Sequence, residues 1–255
     1  KMPTPEEIER DFNFEKEYRI FKTDLIERQK LCGDMVYMPA QWSAGAKISW
    51  YNDFGYELFF RIVGLYPDRA RKLLKIGGAQ GRCRSRLVAE AVKEDLYPGA
   101  VLFGEDICSQ QGPMISPDFM KKYYAPQLRY GIEPLLEVGC KPIWHSDGDV
   151  RELMDMLIDC GIKGFQGFQP ECGMTLDLVI EKRTKEGEPL TIFGPLAVTT
   201  ELPVFKPHQV KQRVREVIEK CKGKDNIVIF TANTINPDVP LENILAMYEA
   251  VKNKD

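Results

Sequence analysis

Six short, almost continuously apolar runs punctuate this sequence, at residues 34–39 (DMVYMP), 100–105 (AVLFGE), 141–145 (KPIWH), 162–168 (IKGFQGF), 190–194 (LTIFG) and 226–231 (NIVIFT). A strand that is apolar at successive positions has both faces buried, the condition of a parallel sheet covered by helices. Helical patterns fill the gaps. Ser116-Pro117-Asp118 has the form of a helix start, and the stripe Phe119, Tyr123, Leu128, Ile132, Leu135 follows it, with kinks expected at Pro126 and Pro134. Asp149 is placed to cap a helix carrying Leu153, Met156 and Leu157 that stops at Cys160-Gly161. Pro207 opens a helix with Val210, Val214 and Val217, and Pro240 opens one with Leu241, Ile244, Tyr248 and Val251 on one face. Repeated strand, polar loop and helix specify a closed (βα) barrel or a doubly wound sheet. No GxGxxG or GxxxxGK[ST] fingerprint follows any run, which favours the barrel.

Composition narrows the function classes. The 255 residues carry a net charge of -3, and 44% of them are hydrophobic. Nucleic acid and anionic membranes call for clustered excess Lys and Arg, so neither is an expected partner. The cluster Arg69, Arg71, Lys72, Lys75 reads as a solvated helix face, and Arg82, Arg84 and Arg86 are expected to face outward from another helical stretch. No run is long and apolar enough to span a bilayer. Seven cysteines stand singly with no CxxC, as expected of reduced thiols in a cytoplasmic protein.

In a barrel of this kind the chemistry sits where the strands end. The ends hold Glu105-Asp106, then Trp144-His145-Ser146-Asp147, then Gln166 and Gln169, then Thr231-Ala232-Asn233. Of the two histidines, His208 follows a proline at a helix start and reads as a surface or capping residue. His145 ends a buried run with an acid two residues on. That position suits a metal ligand or a general acid/base, and also a structural imidazole. Glu105 and Asp106 can cap loops, bind a divalent ion together with His145, or hold a polar substrate directly.

Three separated stretches, GEDICSQQGPMISPDFMKKYYAPQL, PIWHSDGDVRELMDMLIDCGIKGFQ and INPDVPLENILAMYEAVK, resemble the uroporphyrinogen decarboxylase-like superfamily, nearest to its corrinoid-dependent methyltransferase branch. The resemblance covers roughly residues 34–252 and implies a (βα)8 TIM-type barrel. With six runs instead of eight, the first two units are expected to be lacking or remodelled. Residues 1–33 form an N-terminal helical or extended segment before a barrel domain at 34–255. In the zinc methyltransferases of the superfamily a His-x-Cys pair and a later cysteine hold the metal. His145 matches the histidine, Asp147 stands at the first cysteine and Asn233 at the second.

The resemblance therefore implies a methyltransferase with an oxygen-rich pocket, moving a methyl group from a small methoxylated or methylated compound to a cobalamin (corrinoid) on a partner protein. His145, Glu105 and Asp147 are the expected catalytic residues and the expected ligands of a divalent metal such as zinc. Asp106, Gln166, Gln169, Asn233 and Trp144 are the expected substrate-binding residues. A homodimer is among the expected assemblies. The alternative is a tetrapyrrole decarboxylase of the uroporphyrinogen type, and a binding or scaffold protein is the third reading.

Overall fold

The computed structural model describes residues 2–223 and 226–252. The segment expected from residue 1 is helical over its described part. Helix α1 (Pro5–Asp11) is closed by a capping box between Thr4 and Glu7, and α2 (Phe14–Cys32) is started by Asn13, whose Oδ1 accepts from Lys16 N. Two short helices, α3 (Tyr51–Phe54) and α4 (Tyr56–Leu65), lead into the long α5 (Pro67–Lys93). Tyr18, Phe21 and Leu25 of α2 join the main apolar cluster with Leu73, Leu74, Leu87 and Val88 of α5.

Five parallel strands follow: β1 (Ala100–Gly104), β4 (Lys141–His145), β5 (Gly164–Gln166), β6 (Thr191–Leu196) and β7 (Ile227–Thr231), paired in that order. A small antiparallel hairpin, β2 (Cys108–Ser109) and β3 (Gly112–Pro113), fills the loop after β1. The crossovers carry α6 (Pro117–Phe119), a π-helical turn Met120–Tyr124, α7 (Ala125–Glu137), α8 (Arg151–Cys160), α9 (Leu176–Ile180) and α10 (Pro207–Lys220), and α11 (Leu241–Lys252) closes the fold. The chain is thus an α/β protein with a parallel central sheet. Among the described residues no helix is long and apolar enough to cross a membrane.

The expected strand at 34–39 is not one. The segment passes beside β1 without regular structure, where Met38 and Ala40 pack against the cluster of Leu102, Ile143 and Phe193 and Gln41 N donates to Leu102 O at 2.7 Å. Pro39 has no N–H to give, so no ladder forms. The expected bend near Pro126 is met by the π-helical turn just before it, which places that proline in the first turn of α7. Asp149 is not the cap expected of it: Val150 holds the cap position of α8 with no side-chain bond, Asp149 Oδ1 accepts from Arg151 N just inside the helix, and Ser116 likewise makes no capping bond with its side chain.

The buried face of α11 also differs from the expected one. Asn243, Ala246, Met247 and Ala250 are buried, while Leu241 and Tyr248 are exposed. Asn243 sets this rotation, because its Nδ2 donates to Leu202 O and Phe205 O, and a buried amide left without such partners is costly. The three arginines of α5 do not simply face outward. Arg82 bonds Glu133 and the Tyr130 carbonyl, Arg84 turns in to Gln41, and Arg86 lies over the ring of Phe14.

Candidate active site

Pleating divides the strand residues between two environments. Leu102, Ile143 and Phe193 face one side of the sheet, whereas Val101, Phe103, Trp144 and Phe165 belong to the cluster under the helices. Register then brings the strand ends together: Gly104 pairs with His145, and His145 with Gln166. At that end lies a cavity of about 490 Å³. Its polar lining comprises Glu105, Asp106, His145, Asp147, Gln166, Asn233 and the threonines 231 and 234, and its apolar lining Met38, Ala40, Trp42, Leu102 and Phe230. No lysine or arginine lines it among the described residues.

His145 is the centre of the polar lining. Its side chain is only 12% exposed, and Nε2 faces Asp106 Oδ1 at 3.4 Å and Asp147 Oδ1 at 3.9 Å. Burial pulls its pKa down, but the bond to Asp106 and the charges of Asp106 and Asp147 outweigh that, and the net shift is upward. The ring is fixed mainly by packing. Trp42 meets it edge-on with centroids 5.5 Å apart. Behind it lies Gly167 at φ +100, where a Cβ would approach Nδ1 to 3.0 Å and Ser146 O to 2.7 Å. Nδ1 itself is buried without a hydrogen-bond partner among the described residues.

The carboxylates are held as firmly. Asp106 Oδ1 accepts from Asp147 N at 3.2 Å, and the Tyr51 hydroxyl donates to Asp106 O at 2.6 Å. The bond with His145 is the main reason the Asp106 pKa lies below the ordinary carboxylate range. Asn233 Nδ2 donates to both oxygens of Asp147, at 2.9 and 2.8 Å. Burial nevertheless dominates at Asp147 and raises its pKa. One ligand atom each from Asp106, His145 and Asp147 lie within 4.8 Å of one another.

The sequence reading and the geometry differ in detail. Glu105 was expected among the ligands, but its Oε2 accepts from Ser49 N at 3.1 Å, and Asp106 joins His145 and Asp147 instead. Burial pushes Glu105 up to about 7, against the opposing bonds from Ser49. Trp144 does not reach the cavity. It is fully buried in the cluster under the helices, because it is out of phase with His145 along β4. Gln169 is a loop brace, its Oε1 accepting from Gly148 N at 2.7 Å. Gln166 lines the cavity and donates to the carbonyls of Thr231 and Ala232, tying β5 to the end of β7. His208 is exposed, away from the cavity lining. Met38 and Phe230 are marked in the sequence only as members of apolar runs, and Trp42 is not marked at all. An aromatic next to a glutamine in an irregular segment carries no periodicity that would mark it.

A parallel sheet with chemistry-bearing side chains at its C-terminal strand ends is the arrangement of TIM-barrel-type enzymes. Residues 55–254 match the family model described as uroporphyrinogen decarboxylase (URO-D), and the chain belongs to that family. A methylated-thiol–coenzyme M methyltransferase of Methanosarcina mazei is 28% identical over 168 residues, which cover 65% of this chain and 41% of that protein. A solved structure, a methyltransferase from Methanosarcina mazei, superposes with a TM-score of 0.54 at 16% identity over 77% of this chain and 52% of its own, a likeness of fold. The chain therefore spans about two fifths of the length of the curated relative it matches.

Proposed function

We propose that this chain carries the methyl-donor site of a methyltransferase that moves a methyl group from a small methoxylated or methylated compound to a corrinoid on a partner protein. The observation that carries the reading is the cluster Asp106–His145–Asp147 in the lining of the cavity. One imidazole nitrogen and two carboxylate oxygens suit a divalent metal such as zinc, and three protein ligands leave a position open for a substrate. Asn233, anchoring both oxygens of Asp147, is the kind of outer support that metal-binding carboxylates have. A metal held there supplies Lewis-acid activation of the donor's oxygen, and the corrinoid supplies the nucleophile.

The protein's own residues do the rest. Asp106, His145 and Asp147 orient the donor's heteroatom, and Met38, Ala40, Leu102 and Phe230 offer apolar lining to the rest of the donor. The oxygen–methyl bond breaks with its electron pair left on oxygen. Glu105, with a pKa near neutrality, stands beside the cluster as a reservoir for the proton that oxygen finally takes up. The tetrapyrrole decarboxylase reading has less support, because a polycarboxylate macrocycle calls for cationic side chains and the described lining has none.

The test is to mix the protein, zinc, a set of methyl donors and a corrinoid protein reduced to Co(I), and to follow the corrinoid absorbance. A donor-dependent spectral change that vanishes in His145→Ala supports the reading. Decarboxylation of uroporphyrinogen with no spectral change for any donor would favour the alternative.

A further inference from the structure

The five-stranded sheet has two outer edges, β1 and β7, and they are treated differently. Beside β1 the segment with Met38, Ala40 and Gln41 gives partial cover, and Gln41 N donates to Leu102 O. β7 has no such cover. Ile192 N donates to Asn226 O and Ala232 N to Leu196 O, so the even-numbered residues turn their backbone groups toward β6. Ile227 and Ile229 turn theirs the other way, and among the described residues nothing bonds to them. Val228 and Phe230 are exposed on the sheet face that also carries Leu102, Ile143 and Phe193. The strand reads IVIFT, without the lysine, proline or bulge that keeps a solvent-facing edge from pairing.

The helix that follows β7 repeats the pattern. α11 seals Ala246, Met247 and Ala250 into the cluster with Val210 and Val214 of α10. On its opposite face Leu241, Leu245 and Tyr248 follow one another at i, i+4 and i+7 and are 51% to 66% exposed. Glu242 stands in the first turn and Lys252 in the last. Both are exposed and neither forms an ion pair among the described residues, whereas Glu249 between them is held by Lys211 at 2.6 Å. The last strand and the last helix of the fold thus both present apolar surface on the side where no further element follows.

We propose that β7 and α11 form one docking surface for a second copy of this chain, joined about a two-fold axis so that β7 pairs antiparallel with β7 and α11 lies antiparallel on α11. The residues are self-complementary in that arrangement. With Ile229 opposite Ile229, the outward N–H and C=O of each find those of the other, and Val228 of one copy meets Phe230 of the other, a β-branched and aromatic pair. The antiparallel helices set Leu245 on Tyr248, and the two-fold axis brings Glu242 of each copy to Lys252 of the other. Parallel helices would instead set acid against acid and lysine against lysine. Each copy has one such edge, so the assembly closes at two. Phe230 and Thr231 also line the cavity, so the joint borders the candidate active site.

Sedimentation velocity over a range of micromolar concentrations is the experiment. The native chain is expected to show a monomer–dimer equilibrium, and Val228→Lys, which sets a charge against Phe230 of the other copy, to sediment as a monomer with an unchanged thermal transition. Glu242→Lys and Lys252→Glu each turn two attractive contacts into like-charge ones, and either should weaken the dimer on the order of tenfold at low salt. Combining the two in one chain should restore the dimer to within about threefold of native, a result that only antiparallel pairing of identical helices gives. Both positions are exposed on the helix surface, so folding is preserved even where Val228→Lys is not tolerated. A native chain that stays monomeric throughout, one that forms only open-ended aggregates, or a double variant no tighter than the single ones would overturn the proposal.

Discussion

Glu105 and Asp106 are joined by one peptide bond and sit in opposite environments. Glu105 turns into the protein, takes its hydrogen bond from Ser49 N and is pushed up to about 7 by burial. Asp106 turns to the open rim, faces His145 and titrates below the usual range. A strand leaving a sheet alternates its side chains, so two adjacent acids at its end are divided between a dry seat and a wet rim. What separates their roles is which groups meet each carboxylate. A rim acid with an imidazole and a second acid beside it can hold a cation. A seat acid whose burial outweighs the bonds it takes from Ser49 stores a proton.

Several substitutions can break or sharpen that division. The largest effect is expected on the rim: His145→Ala should reduce methyl transfer at least about a hundredfold while the thermal transition stays near that of the native protein, since a ligand is lost and little core area with it. Seat changes act on stability instead. Glu105→Ala should cost about 1–3 kcal/mol in denaturant unfolding, because Ser49 N is left buried without its acceptor. The sign of the pH effect follows from the raised pKa. A carboxyl that titrates near 7 when folded and near 4.5 when unfolded favours the folded state below 4.5, and that contribution is lost as pH rises toward 7. Metal-free protein should therefore lose stability across that window, and Glu105→Gln should flatten the dependence. Asn233→Ala should weaken zinc binding about tenfold without touching the seat, by freeing Asp147. His208→Ala, on an exposed helix start, should leave turnover within about twofold.

Much of this arrangement was legible in the residues. Near-continuous apolarity marked the five parallel strands, although β7 is not buried on both faces, since Val228 and Phe230 are exposed, and the run ending in His145 coincides with β4 residue for residue. The run at 34–39 has the same apolar composition but lacks a partner ladder, which sequence periodicity cannot reveal. Composition named Glu105 and Asp106 together. Which of them faces the rim depends on the strand's last turn of pleat and on Ser49, 56 positions away in the chain. Trp144 was misassigned for the same reason: adjacency to His145 in sequence puts it on the opposite face. Arg84 and Gln41 are joined across 43 positions of the chain, so only the folded chain displays the pair.

Zinc titration by isothermal calorimetry tests the division of the two acids most directly. The native chain is expected to bind one ion, Asp106→Asn and His145→Ala to weaken that binding at least about tenfold, and Glu105→Gln to leave it unchanged. A native chain that takes up no zinc, or a Glu105→Gln variant that loses the ion as completely as Asp106→Asn does, would contradict the account.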